Sequence, residues 1–131
     1  MAQRSEELIE GDNVVLLRGR LTQDPQAREL PSGTPIVALR VSVSRARTAM
    51  TKGSAQTVDW MDCSVWTALL RKRVAKWRRG DVVEIHGALR RRHVSAAGVS
   101  RSLVEVEVLG ASRLSEAAQV DAKQSTRVAS K

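Results

Sequence analysis

The chain has 131 residues, 22 of them lysine or arginine against 14 aspartate or glutamate, which gives a formal net charge of +8 and a sequence pI of about 11.0. This length suits one domain, and the basic balance favours a polyanionic partner, nucleic acid ahead of an anionic membrane surface. A single cysteine, Cys63, excludes an internal disulfide, no apolar run approaches the roughly 18 residues of a membrane span, and Met1–Glu7 lacks the apolar segment of a signal peptide, so a cytoplasmic setting is expected.

Residues 1–12 read as a flexible lead-in. A first strand begins at Asn13 and runs through Val14, Val15, Leu16 and Leu17 to Arg18-Gly19-Arg20-Leu21, with Gly19 marking a bulge or a bend. Asp24-Pro25 and Pro31-Ser32-Gly33-Thr34-Pro35 are turn sequences, so 22–34 is a short hairpin or an extended loop. The second strand, 36–46, alternates Val37, Leu39, Val41 and Val43 with Ala38, Arg40, Ser42 and Ser44. A polar, basic hairpin loop follows from Arg45 to Ala55.

The third strand, Val58–Trp66, places Met61, Cys63 and Val65 on a core face and Trp60, Asp62, Ser64 and Trp66 on a polar one. Phe and Tyr are absent, so two of the chain's three aromatic rings of this kind lie on a polar strand face. In a basic protein they suggest a platform for stacking bases. The alternative is that one or both pack under a loop or against another subunit.

From Thr67 the period changes. Leu70, Val74 and Trp77 recur at i, i+4 and i+7, which predicts a helix over 67–79 with Thr67 as N-cap and Gly80 just past its end. Trp77 on that stripe is expected to plug the core. A fourth strand spans Val82–Val94, with Val83, Ile85, Gly87 and Leu89 on one face and Arg90 and Arg92 on the other. After a turn at 95–100 a last strand runs over 101–109, with Val104, Val106 and Val108 inward. The pattern fades after Gly110, and 111–131 reads as a disordered tail.

Three strands, a helix and two strands predict an all-β domain over 13–110: a five-stranded antiparallel sheet closed into an OB-fold barrel, with the helix between strands 3 and 4 covering one open end. Catalytic and metal chemistry find no support. Asp59 and Asp62 point to opposite strand faces, Cys63, His86 and His93 lack zinc-ligand spacing, and no phosphate-binding glycine loop is present. No enzyme activity, metal or cofactor is expected.

Asn13–Pro25, the segment Arg28–Gly33, Asp59-Trp60 and Val65-Trp66, Leu69–Gly80 with Asp81, and Gly87–Arg90 occur in the order and spacing of a known family. On these residues the chain resembles the bacterial single-stranded DNA-binding proteins over about 13–109. The resemblance implies sequence-nonspecific binding of single-stranded DNA in replication, recombination or repair, close to the nucleoid. It also implies a homo-oligomer, a tetramer before a dimer.

Trp60 and Trp66 are the expected stacking pair, with Arg45, Arg47, Arg90 and Arg92 on phosphates and Arg18, Arg20, Arg28 and Lys52 in support. With few aromatics, electrostatics is expected to carry much of the affinity. Met61 and the N-terminal strand are candidates for subunit contacts. The helix cations are a secondary DNA path or a solvated face.

Four departures from the family stand out. Arg47 falls near a usual loop tryptophan, Val94 where many members carry an aromatic, and Asp62 near an often basic position. The tail ends Val128-Ala129-Ser130-Lys131, so recruitment of partners through an acidic tip is not expected. A secondary paralogue fits these departures. The rival readings are a primosome-type accessory OB-fold acting through protein contacts and an RNA-binding OB module.

Overall fold

In the computed structural model, which describes residues 11–117, the alternating segments form six strands, and one short helix lies between the fourth and fifth. The strands are β1 (Val15–Leu21), β2 (Gln26–Glu29), β3 (Pro35–Ser44), β4 (Val58–Val65), β5 (Val82–Ala96) and β6 (Val99–Ser115); the helix is α1 (Ala68–Val74). They hydrogen-bond in the order β1-β5-β6-β4-β3, and β3 pairs back onto β1. The result is the expected closed barrel of five strands with one helix. Within 22–34, β2 makes a short hairpin with β3, Gln26 facing Ala38 and Glu29 facing Pro35. The lead-in over 1–10 and the tail over 118–131 lie outside the described residues.

The sheet is not wholly antiparallel. β4 and β6 run parallel, with Cys63 opposite Val106 and Val65 opposite Val108. The reason is one of parity. Five strands in a ring cannot alternate direction all the way round, so one junction must be parallel.

Two glycines let the barrel close. A Cβ on Gly19 would collide with the Ser42 carbonyl oxygen and Val41 where β1 meets β3. A Cβ on Gly87 would collide with the Glu107 carbonyl oxygen and Val106 where β5 crosses β6. The interior is aliphatic: Leu21, Leu39, Val41, Val65, Val83, Ile85, Val106 and Val108 are each at most 2% exposed. Met61, partly buried, packs against this core, as its place on the core face of the third strand predicts.

β6 is longer than its hydrophobic pattern suggests. His86 faces Gly110 while Gly87 faces Val108, so Leu109 is an extra, exposed residue, a β-bulge. The bulge shifts the inward phase by one. Ala111, 4% exposed, becomes the next core residue, and the strand continues to Ser115.

The helix is shorter than expected. Thr67 caps it, its hydroxyl accepting from the Leu70 N–H. It ends at Val74, and the Trp77 N–H then bonds the Val74 carbonyl in a turn. That turn drops Trp77 into the barrel end as the expected plug, 5% exposed. Gly80, at φ +91°, serves this later turn rather than the helix C-terminus. The buried Asp81 carboxylate fixes the turn, accepting from the Arg78 N–H at 2.8 Å and the Ala117 N–H at 2.7 Å.

Candidate nucleic-acid interface

Strand register builds the candidate surface row by row. Arg20 on β1 faces Ser42 on β3, which faces Trp60 on β4. In the next row Arg40 faces Asp62. In the next, Gln26, Ala38, Ser64, Glu107 and Ala88 cross β2, β3, β4, β6 and β5. Arg28 lies two residues beyond Gln26 on β2 and hydrogen-bonds its side chain at 2.7 Å.

Both tryptophans occupy this outer face, Trp60 with 55% and Trp66 with 36% of its surface open. The Trp66 indole N–H donates to the buried Ser64 hydroxyl at 3.0 Å, which fixes the ring over the end of β4. The Arg40 guanidinium lies over the Trp60 ring, 4.4 Å from its centroid, and pairs with Asp62 at 2.9 Å. Arg40 belongs to this candidate face, a position that sequence reasoning overlooked. The signal was available: on β3 it alternates outward with Ser42 and Ser44.

Arg90 and Arg92 line one concavity with Ser64, Trp66, Glu105 and Glu107. Arg90 pairs with Glu107 at 2.9 Å. The Arg92 Nε lies 3.0 Å from Glu105 Oε1 but, shielded from solvent, makes no aligned hydrogen bond. The remaining expected contacts are more dispersed. Arg45, only 18% exposed at its side chain, pairs with Asp59 at 2.9 Å at the neck of the 45–57 loop. Arg47 and Lys52 lie further out on that loop, which closes on itself through Thr51 Oγ1 to the Ala46 carbonyl at 2.7 Å and the Lys52 N–H to the Thr48 carbonyl at 2.9 Å.

Arg18 pairs with Glu84 across β1 and β5, and Arg20 donates to the Gly80 carbonyl at 2.8 Å. The hydrogen bond from Arg18, and then that from His86, holds the Glu84 carboxyl below the usual carboxylate range.

Four arginines on or beside the outer face, Arg40, Arg45, Arg90 and Arg92, are thus each matched by a carboxylate. Arg20, Arg28 and Arg91, by contrast, form no ion pair among the described residues. Burial, then the Asp62 and Glu105 charges, pushes the Cys63 thiol up to about 12, so it stays protonated and inert. Among the described residues no group of three or more His, Cys, Asp or Glu side chains is placed to hold a metal ion.

The single-strand binding protein family matches residues 12–114. Single-stranded DNA-binding protein 2 of Streptomyces coelicolor is 33% identical over 120 residues, covering 84% of this chain and 58% of that protein. The single-stranded DNA-binding protein of Mycobacterium tuberculosis is 30% identical over 106 residues, covering 75% of this chain and 62% of that protein. The chain thus matches about three-fifths of the length of these relatives. A Plasmodium falciparum SSB complex with ssDNA has the same fold at a TM-score of 0.64 and 18% identity, over 79% of this chain and 94% of that one.

Proposed function

The chain belongs to the single-strand binding protein family, and on that premise we propose that it binds single-stranded DNA without sequence preference, stacking bases on Trp60 and Trp66. Members of this family bind rather than catalyse. The observation that carries the reading is the outer face itself. Two half-open indoles lie on one barrel surface, one under Arg40 and the other beside Arg90 and Arg92.

Phosphate contact on this face works by exchange. Arg90 and Arg92 swap a carboxylate for a phosphate oxygen as DNA enters. Arg92, whose Nε lacks an aligned hydrogen bond, gives up least in doing so. Arg47 and Lys52 on the loop, and Arg20 and Arg28 at the edges of the face, extend the track. The role assigned is protection of exposed strands in replication, recombination or repair, in the cytoplasm at the nucleoid.

We further propose that the chain acts as a homo-oligomer, a tetramer before a dimer. The exposed Val14 and Leu16 at the start of the barrel, and Leu109 and Leu114 on β6, support this as apolar side chains suited to subunit contact.

The test is a tryptophan-fluorescence titration of the protein with oligo(dT). Strong quenching is expected. A chain whose fluorescence and anisotropy do not respond to oligo(dT) would exclude the proposal. The exchange makes a further prediction in the same titration. Glu105→Gln and Glu107→Gln keep shape while removing the competing charges, so each is expected to tighten oligo(dT) binding by roughly 2- to 5-fold, about 0.5–1 kcal/mol. Weaker binding in both variants would show that the carboxylates organise the arginines for DNA rather than compete with it.

A further inference from the structure

The net positive charge of this protein is concentrated away from the tryptophan face. Between residues 71 and 79 stand Arg71, Lys72, Arg73, Lys76, Arg78 and Arg79, with no acidic residue among them. Among the described residues none of the six forms an ion pair, in contrast to the matched arginines beside Trp60 and Trp66. All except Arg71 are exposed. Two of the six bond backbone carbonyls: Arg71 Nε to Trp66 at 3.3 Å and Arg73 Nη1 to Ala111 at 3.1 Å.

Fold stability does not call for this arrangement. Cations in the last turn of α1 complement the helix dipole, but one or two suffice, and the effect fades beyond that turn. Lys76, Arg78 and Arg79 lie beyond Val74, where the helix ends, so the helix dipole does not call for them. A cluster of unpaired cations that the helix does not need points to an external polyanion.

We propose that the exposed side of α1 and the turn after it form a second nucleic-acid contact, one that grips the phosphodiester backbone of duplex DNA and reads no bases. Two features select the duplex. The surface has no open aromatic ring on which an unpaired base could stack, since Trp77 is 5% exposed and faces the core. Its dense charge matches the denser polymer, which carries about one negative charge per 1.7 Å of helix axis. The groove lined by Leu69, Lys72, Arg73, Lys76, Arg113 and the buried Trp77 covers the barrel end, whereas Trp60 lies on the β3–β4 face. The two surfaces meet at Arg71, which bonds the Trp66 carbonyl, so the test substitutes Lys72 and Lys76 instead. A protein with both could sit where single-stranded DNA meets duplex.

The test compares the protein, Lys72→Gln/Lys76→Gln and Trp60→Ala/Trp66→Ala on a blunt-ended DNA duplex and on a short oligo(dT), by anisotropy across a salt series. Both lysines are exposed, so their loss leaves the fold intact. The unaltered protein is expected to bind the duplex with a steep salt dependence. In the lysine variant the slope of log affinity against log salt falls by about 2, so that it loses roughly tenfold less affinity between about 50 and 200 mM salt. Its oligo(dT) binding is retained, and the tryptophan variant keeps its duplex binding. Three results would overturn the proposal: no duplex binding by the unaltered protein, an unchanged slope in the lysine variant, or equal loss of duplex binding in the tryptophan variant. A Leu69→Ala variant that loses duplex binding with both lysines intact would also overturn it, by assigning the groove to an apolar-anchored acidic peptide.

Discussion

Replacing Trp60 and Trp66 together by alanine is expected to weaken oligo(dT) binding by about 30-fold to more than 10,000-fold. Each base stacked on an aromatic ring contributes about 1–3 kcal/mol, and the two contacts lie far enough apart on β4 to add. The loss should be harsher than the matched loss of two arginines. Arg90 and Arg92 must give up Glu107 and Glu105 to reach a phosphate, whereas both indoles are already partly open, with Arg40 over the Trp60 ring.

The single variants should differ in character. Trp60→Ala removes the ring under Arg40 but leaves the Arg40–Asp62 pair intact, so its effect is confined to binding. Trp66→Ala also leaves the buried Ser64 hydroxyl without its indole partner, so a small loss of stability accompanies the loss of affinity. Trp77 remains in the double variant as the last aromatic of this kind, and its buried fluorescence reports whether the barrel is folded. Affinity lost from a folded double variant assigns the loss to stacking. Affinity retained within threefold would remove the stacking surface from the account.

Gly87→Ala is expected to cost about 3 kcal/mol or more, at the upper end of what an overpacked site gives. The added methyl meets the Glu107 carbonyl oxygen and Val106, so β5 and β6 must separate along a pairing that runs from Val82 to Ala96. Backbone cannot yield as a flexible side-chain tip can. Gly110→Ala is the matched control. It lies one residue from the same bulge, yet its Cβ would meet only the His86 Cβ at 3.5 Å, an ordinary contact. Urea unfolding of the two variants should separate them by several-fold in stability change. Equal, small changes would mean that the barrel closes with slack at Gly87. Because β5 carries Arg90 and Arg92 to Trp66, Gly87→Ala should also weaken DNA binding, a loss that follows stability and not contact.

The parts of this protein that were legible in the sequence are those set by neighbours along the chain. Alternation on β3 and β4 placed Val41, Cys63 and Val65 inside and both tryptophans outside. Thr67 announced the helix start, and the 3.6-residue stripe put Trp77 in the core. What was not legible depends on strands distant in sequence. The parallel β4–β6 junction follows from ring closure, which no local pattern encodes.

The bulge at Leu109 reverses the inward phase, so alternation counted from Val104 stops at the point where the strand continues. The partners of the site arginines were hidden for the same reason. Glu105 and Glu107 come beside Arg92 and Arg90 only through the β5–β6 register. A count of arginines on strand faces therefore overstated the free charge of the outer face and understated that of α1.

The central claim, that bases stack on this outer face, is tested most directly by photocrosslinking. A single-stranded oligonucleotide carrying 5-iodouracil, irradiated in complex with the protein and mapped by mass spectrometry, reports which aromatic side chains touch bases. Crosslinks at Trp60 and Trp66, with Trp77 unmodified, are the predicted result. Crosslinks confined to the α1 end of the barrel, or none in a complex shown to be saturated, would contradict it.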